Sequence, residues 1–366
     1  MELDDERCAY AALALTPGIG VRRLSTLLAA CQTATGALRA PVAFLESLPG
    51  ISLAAATAIA SRSIEDGRRA LAQVAALGGH AISIEDEGFP AVLREIPDPP
   101  TLLFALGDIS LLGRPAVAVV GSRDHSAYGG AVCRDLAGVA ARADLVVVSG
   151  MARGLDAVAH TAALEAGGAT IGVLGNGLGV IYPAANRELY TRVGDRGLLL
   201  TEFPPGERPG IGSFPRRNRL ISGLARVTVV VEAAEGSGTL ITVGTALDQG
   251  REVMVVPGNI TSPTSVGTNR LLRDGATPLL DAADLLEQYP ELAGTGKRSG
   301  SVPPRPTLTG DAATVYGLLE SGPLGLDEVV RRCALPAPQV LAVVTGLELT
   351  GHLGRRGGMI CRGDGR

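Results

Sequence analysis

Between residues 116 and 256 the chain repeats one texture six times: a short, unbroken apolar run rich in β-branched residues, then a stretch of helical composition. The runs are 116–120 (AVAVV), 145–149 (LVVVS), 170–174 (TIGVL), 198–201 (LLLT), 227–231 (VTVVV) and 252–256 (EVMVV). A strand with one face in water alternates apolar and polar residues, whereas a strand apolar throughout is covered on both faces. Strands covered twice and joined by helices predict a mostly parallel sheet between helical layers, a doubly wound α/β domain.

The flanks have a different texture. Residues 1–80 are rich in Ala and Leu and lack β-branched runs, which predicts a small helical domain. Two breaks within it resemble each other, Leu15-Thr16-Pro17-Gly18-Ile19-Gly20 and Leu48-Pro49-Gly50-Ile51-Ser52, each opening a new helix. This is the pattern of a helix-hairpin-helix unit, whose turn aims backbone N–H groups at a phosphate. It is equally the pattern of a plain αα-hairpin, and seven Arg against seven acids over 1–80 leave both readings open. Residues 81–115 read as a connector into the α/β domain, which then extends to 286. Residues 287–308, rich in Gly, Pro and Ser, read as a linker. Residues 309–366 carry three short helical stretches and a Gly- and Arg-rich tail, a pattern that fits a winged-helix domain. Six acids balance six bases there, so a partner surface and DNA binding stand level.

Composition removes several functions. Lys297 is the only lysine, which excludes a phosphate loop of the GxxxxGK[ST] type and argues against Schiff-base chemistry. With 33 basic and 37 acidic residues the net charge is −4, so any basic surface is local. Five cysteines without a CxxC pair and four unclustered histidines offer no zinc spacing and suit a reducing cytosol. The acidic start (Glu2, Asp4, Asp5, Glu6) is unlike a signal peptide, and no apolar run approaches a membrane span. A soluble cytoplasmic protein with no membrane association is expected.

In an open parallel sheet, ligands bind beyond the carboxyl ends of the strands. Four of the turns at that edge have the same make-up: Gly121-Ser122-Arg123; Ser149-Gly150-Met151-Ala152-Arg153-Gly154; Gly175-Asn176-Gly177; and Glu235-Gly236-Ser237-Gly238-Thr239. One such turn usually only satisfies local geometry. Four on one edge make a rim of N–H and hydroxyl donors around Arg123 and Arg153, suited to phosphate. The first turn lacks the GxGxxG of a dinucleotide site, and no acid ends the second strand to hold a ribose, so no nucleotide cofactor is expected. The densest cationic stretch is Phe214–Arg226, with four Arg (Arg216, Arg217, Arg219, Arg226) and no acid in thirteen residues. Guanidinium forks pair with phosphates and stack on bases, and Phe214 adds a π-face. No nucleophile–base pair stands out. Asp156 reads as orienting Arg153, and Glu232 with Glu235 lacks the further acids a metal site needs.

Taken together, VAVVGSR (117–123), SGMARGLDAVAH (149–160), Tyr182-Pro183, TEFPPG (201–206), FPRRNRLISGLA (214–225), EAAEGSGTLIT (232–242), VPG (256–258) and GTNRLLRDGA (267–276) resemble the DprA/Smf family of DNA-processing proteins, in order over about residues 85–285. The resemblance implies an extended Rossmann-like domain, an N-terminal helical domain and a C-terminal winged helix. It implies a homodimeric, non-enzymatic mediator that binds single-stranded DNA, with double-stranded DNA as an open further ligand. Such a protein protects incoming DNA in natural transformation and loads the RecA recombinase onto it. Carried over to matching positions, Arg123 with Gly121 and Ser122 heads the implied DNA site. Arg153, Arg217, Asn218 and Arg219 follow, then Arg216, Ser237 and Thr239. Where some relatives place lysines, this chain has Pro183-Ala184-Ala185 and Gly210-Ile211-Gly212. The other reading is a nucleotide hydrolase or phosphoribohydrolase on the same core, since EGSGT is superficially like the PGGxGT loop of those enzymes.

Overall fold

The computed structural model describes residues 4–292, 308–319, 322–333, 335–350, 352–356 and 359–362. The chain divides into two compact units, Met1–Gly296 and Lys297–Arg366.

The first unit opens with six helices: α1 (Asp5–Ala14), α2 (Val21–Cys31), α3 (Ala34–Arg39), α4 (Val42–Glu46), α5 (Leu53–Ala60) and α6 (Ile64–Ala76). The two Pro-Gly turns lie side by side, because Arg23 on α2 donates to the carbonyls of both Gly18 (2.6 Å) and Gly50 (2.8 Å). Then follow β1 (His80–Ser83), α7 (Ala91–Arg94), β2 (Leu102–Gly107), β3 (Ala116–Val120), α8 (Ala127–Arg142), β4 (Val146–Ser149), α9 (Leu155–Glu165), β5 (Thr170–Val173), α10 (Arg187–Arg196) and β6 (Leu198–Thr201). The unit closes with α11 (Ser213–Gly223), β7 (Val227–Val230), α12 (Thr239–Asp248), β8 (Glu252–Val255), α13 (Val266–Arg273), β9 (Thr277–Pro278) and α14 (Ala282–Glu287).

All six apolar runs form strands of one nine-stranded sheet in the order β1-β2-β6-β5-β4-β3-β7-β8-β9, parallel from β6 to β9. Their lack of alternation has the expected cause. Val117, Val119, Val147 and Val229 pack under α8 and α9, while Ala118, Val120, Val148 and Val230 pack under α11 and α12. The short apolar run TLLFALG, read as part of a connector, is β2: it pairs antiparallel to β6 and carries β1 at the sheet's edge. The helical N-terminal segment shares a core with the sheet, since Cys8 and Ala11 of α1 and Leu71 and Val74 of α6 pack with Phe104 and Leu199. The boundary expected at 80/81 therefore runs through a continuous core. The expected linker at 287–308 begins on the end of α14, and its residues 293–307 lie outside the described residues.

From β3 the chain winds outward through β4, β5 and β6, then crosses back to β7 on the other side of β3. The crevice between the carboxyl ends of β3 and β7 is the switch point where open α/β sheets take ligands.

The second unit holds α15 (Gly310–Leu318), α16 (Leu326–Cys333), α17 (Ala337–Leu349) and a hairpin of β10 (Leu353–Arg356) with β11 (Met359–Arg362). Val315, Val329, Val340, Val344 and Ile360 form its core. Among the described residues, three helices followed by a two-stranded wing make the winged-helix arrangement.

Candidate nucleic-acid interface

The turns after β3, β4, β5 and β7 meet at the sheet's carboxyl edge and line two adjoining depressions. A slot is bounded by Arg123, Arg153, Asn176, Tyr182, Phe214 and Arg217. A wider bowl at the switch point is bounded by Gly121, Ser122, Arg123, Asn218, Ser237 and Thr239, with Arg217 and Phe214 shared between the two. Arginines from three separate turns or helices thus converge as the sequence suggests, but they do different work.

Arg123 and Arg153 are exposed, and neither makes a hydrogen bond or ion pair among the described residues. Arg123 instead lies over the Phe214 ring, 5.9 Å from its centroid. Phe214 in turn meets Tyr182 at 5.6 Å between centroids and 35° between planes. A guanidinium, two rings and a second free guanidinium thus border one small opening. Gly175 makes this possible: a Cβ there would stand 2.7 Å from Phe214 Cδ1. The SGMARG turn is held from a distance, because Asn186 Nδ2 donates to the carbonyls of Met151 and Ala152, both at 3.0 Å. Met151 pays for the turn with a left-handed φ of 57°, uncommon for a residue with a side chain.

Arg217 is different. Only 5% exposed, it donates Nη1 to the carbonyls of Gly150 and Val173, the latter at 2.5 Å, and Nε to Asn218 Oδ1 at 3.2 Å. It ties the ends of β4 and β5 together beneath the opening. Burial pulls the guanidinium down to about 10, against the raising effect of Asp156, so it stays charged at neutral pH. Burial likewise pushes the Asp156 carboxyl up, opposed by Arg217. The expected pairing of Asp156 with Arg153 is therefore corrected: Asp156 accepts from Ala152 N at 3.2 Å and faces Arg217 across Gly150. A Cβ on Gly150 would lie 2.7 Å from Arg217 Nη1 and Nη2 and from Asp156 Oδ2, which is why that turn needs glycine.

Arg216 and Arg219 point elsewhere. Arg216 Nε stands 3.0 Å from Glu202 Oε1, with its guanidinium over Phe203. Arg219 pairs with Glu202 Oε2 at 2.5 Å and with Asp98 at 3.3 Å. Glu202, in TEFPPG, is buried and had no role in the sequence reading; it claims two of the four arginines. Asn218 lies on the bowl's wall.

The bowl's remaining wall is hydroxyl and backbone. Ser122 Oγ donates to Asp124 O (3.0 Å) and accepts from Asp124 N (3.2 Å), which shapes its own turn. Ser237 Oγ accepts from Thr239 N (3.2 Å) and donates to Thr239 Oγ1 (3.1 Å) at the start of α12. Gly238 at the N-cap of α12 offers no side-chain acceptor. Glu232, the acid that opens this loop, is committed: it accepts from Ser126 N (2.9 Å), Ser126 Oγ (2.5 Å) and Thr264 Oγ1 (3.2 Å). Glu235 faces Arg270 at 3.8 Å, on the far side of the loop. The two carboxylates do not share a site.

A doubly wound sheet with unpaired arginines, stacked rings and a hydroxyl-lined bowl at its switch point defines a Rossmann-like binding protein without a dinucleotide fingerprint. The chain belongs to the DprA/Smf family of DNA recombination mediators. Residues 80–290 match the family described as DNA recombination-mediator protein A, and residues 299–359 match the DprA winged helix domain. DNA processing protein DprA of Bacillus subtilis is 41% identical over 224 residues, 61% of this chain and 75% of that protein. Protein Smf of Escherichia coli is 37% identical over 279 residues, 75% of each. Among solved structures, DprA of Streptococcus pneumoniae superposes with a TM-score of 0.67 at 33% identity, covering 78% of this chain and 98% of that one. DNA processing protein A of Helicobacter pylori, solved to explain its single-stranded DNA binding mode, gives 0.53 at 30% identity, over 58% and 96%.

Proposed function

We infer that this protein binds single-stranded DNA at the slot and bowl, and that it acts as a mediator that hands the strand to a RecA-type recombinase. The observation that carries this reading is the pair of guanidiniums, Arg123 and Arg153, that make no hydrogen bond or ion pair among the described residues and stand at the mouth of an opening lined by Phe214 and Tyr182. Phosphates need free cations, and unpaired bases need ring faces, which the stacked bases of a duplex cannot use. The H. pylori relative's DNA binding mode supports the choice of ligand. Protection of incoming DNA in natural transformation, homodimerisation, a cytoplasmic location and a binding rather than catalytic role extend the same reading from family membership. The PGGxGT enzymes carry a Glu after the loop, whereas no acid follows EGSGT here until Asp248, and Glu232 ahead of it is engaged with Ser126 and Thr264, which favours binding over base release.

Competition between single- and double-stranded oligonucleotides at two salt concentrations tests the proposal. Single-strand affinity should fall with salt at a log–log slope of about −0.7 per phosphate contacted. Arg123→Ala should weaken binding and flatten that slope by about one contact. Equal affinity for both strand states, or an unchanged slope in the variant, would overturn it. RecA nucleation on single strands coated with a single-strand-binding protein tests the mediator step.

A further inference from the structure

The slot holds one polar group that the phosphate chemistry does not use. Asn176, in the turn after β5, is 2% exposed and forms part of the slot's lining with Phe214 and Tyr182. Both protons of its Nδ2 are committed within its own turn, to Gly177 O at 3.0 Å and Val180 O at 2.8 Å. The side chain is therefore locked in one orientation. Its Oδ1, with no partner among the described residues, is left as a fixed acceptor. A ring face with a fixed acceptor beside it is what reads the edge of a planar base rather than a phosphate.

We propose that Asn176 Oδ1 accepts a hydrogen bond from the Watson–Crick edge of one unpaired base seated against Phe214, and so serves as a strand-state selector. Every DNA base has a donor on that edge: N3–H of thymine, N1–H of guanine, and the exocyclic amines of adenine and cytosine. An acceptor alone therefore tolerates any sequence. In a duplex the N3–H of thymine and N1–H of guanine are spent on the partner base, and the amine protons that adenine and cytosine keep point into the major groove, away from a slot that takes a base end-on. A carbonyl that gives up its water to a seated base must receive a donor in return, and an unpaired base supplies one.

The proposal rests on the single-strand reading above, and its test separates the two. The probe is oligo-dT against the same oligonucleotide with every thymine N3-methylated, which removes the donor and keeps charge, length and ring. The native protein should bind oligo-dT roughly fivefold more tightly, the worth of one neutral hydrogen bond. In Asn176→Ala that preference should vanish. Tight and equal binding of both oligonucleotides by the native protein would overturn this proposal alone, a result that needs no variant to fold. A preference that persists in Asn176→Ala would also overturn it, by assigning discrimination to the methyl group's bulk. Failure of the native protein to bind either oligonucleotide would overturn the single-strand reading and this proposal with it.

Discussion

Replacing Arg217 by Met separates a residue that builds the site from one that meets the ligand. The substitution removes a buried cation whose Nη1 serves the carbonyls of Gly150 and Val173, and it strips the buried Asp156 of its main opposing charge, leaving only the more distant pull of Arg123. Breaking one side of a buried charge arrangement costs about 3–5 kcal/mol. That is a large share of the roughly 5–15 kcal/mol that holds a domain folded. For a unit of this size each kcal/mol moves Tm by about 2–4 °C, so a drop of roughly 10 °C is expected. Calorimetry of the full chain reads it directly. The loss has a pH signature. In the variant, buried Asp156 keeps its proton to higher pH in the folded state than in the unfolded chain, so the folded state binds more protons. Stability of Arg217→Met relative to the native protein should therefore recover as pH falls toward the ordinary carboxylate range, and worsen as it rises. Arg123→Ala is the control: exposed and unpaired, it should change stability by no more than about 0.5 kcal/mol while weakening single-strand binding. An Arg217→Met protein that melts within about 2 °C of the native one would refute the assignment of Arg217 as a buried tie.

Three further outcomes follow from the same geometry. His160 is buried with Nδ1 2.7 Å from Thr170 Oγ1, and burial lowers it to about 3, so the unfolded chain takes up a proton first as pH falls below about 6.5. Stability should decline from there toward pH 3, and His160→Gln should flatten that decline in urea titrations at pH 7 and 5. Gly175→Ala puts a Cβ 2.7 Å from Phe214 Cδ1, so it should displace the ring and lower single-strand affinity more than it lowers Tm, as anisotropy and melting curves would show. Arg219→Ala leaves buried Glu202 short of a partner and should cost about 1–3 kcal/mol with DNA affinity unchanged, a contrast that equilibrium binding and denaturation separate.

The parallel core was legible because periodicity is a local property. Six runs without alternation announce burial on both faces, and the turns that follow parallel strands must gather at one edge. Arg123 and Arg153 could be named from that edge alone. The motifs that place the chain in its family are likewise strings of residues, readable without coordinates. The strand β2 was hidden because TLLFALG stands alone among prolines, and its pairing to β6 joins residues nearly a hundred positions apart.

What tertiary structure decided was the direction of each side chain. Arg216, Arg217 and Arg219 sit within four residues on α11, yet the turn of the helix sends them to different surroundings. Two meet Glu202, and the third goes inward to Gly150 and Val173. Those partners lie between 14 and 67 residues away. No local rule distinguishes a cation that awaits a phosphate from one already bound by the fold. The same holds for Asn176, whose oxygen is held in one orientation because two carbonyls of its turn occupy its nitrogen. Composition and spacing determine which groups reach the carboxyl edge of the sheet; contacts across the fold determine which of them remain free to bind.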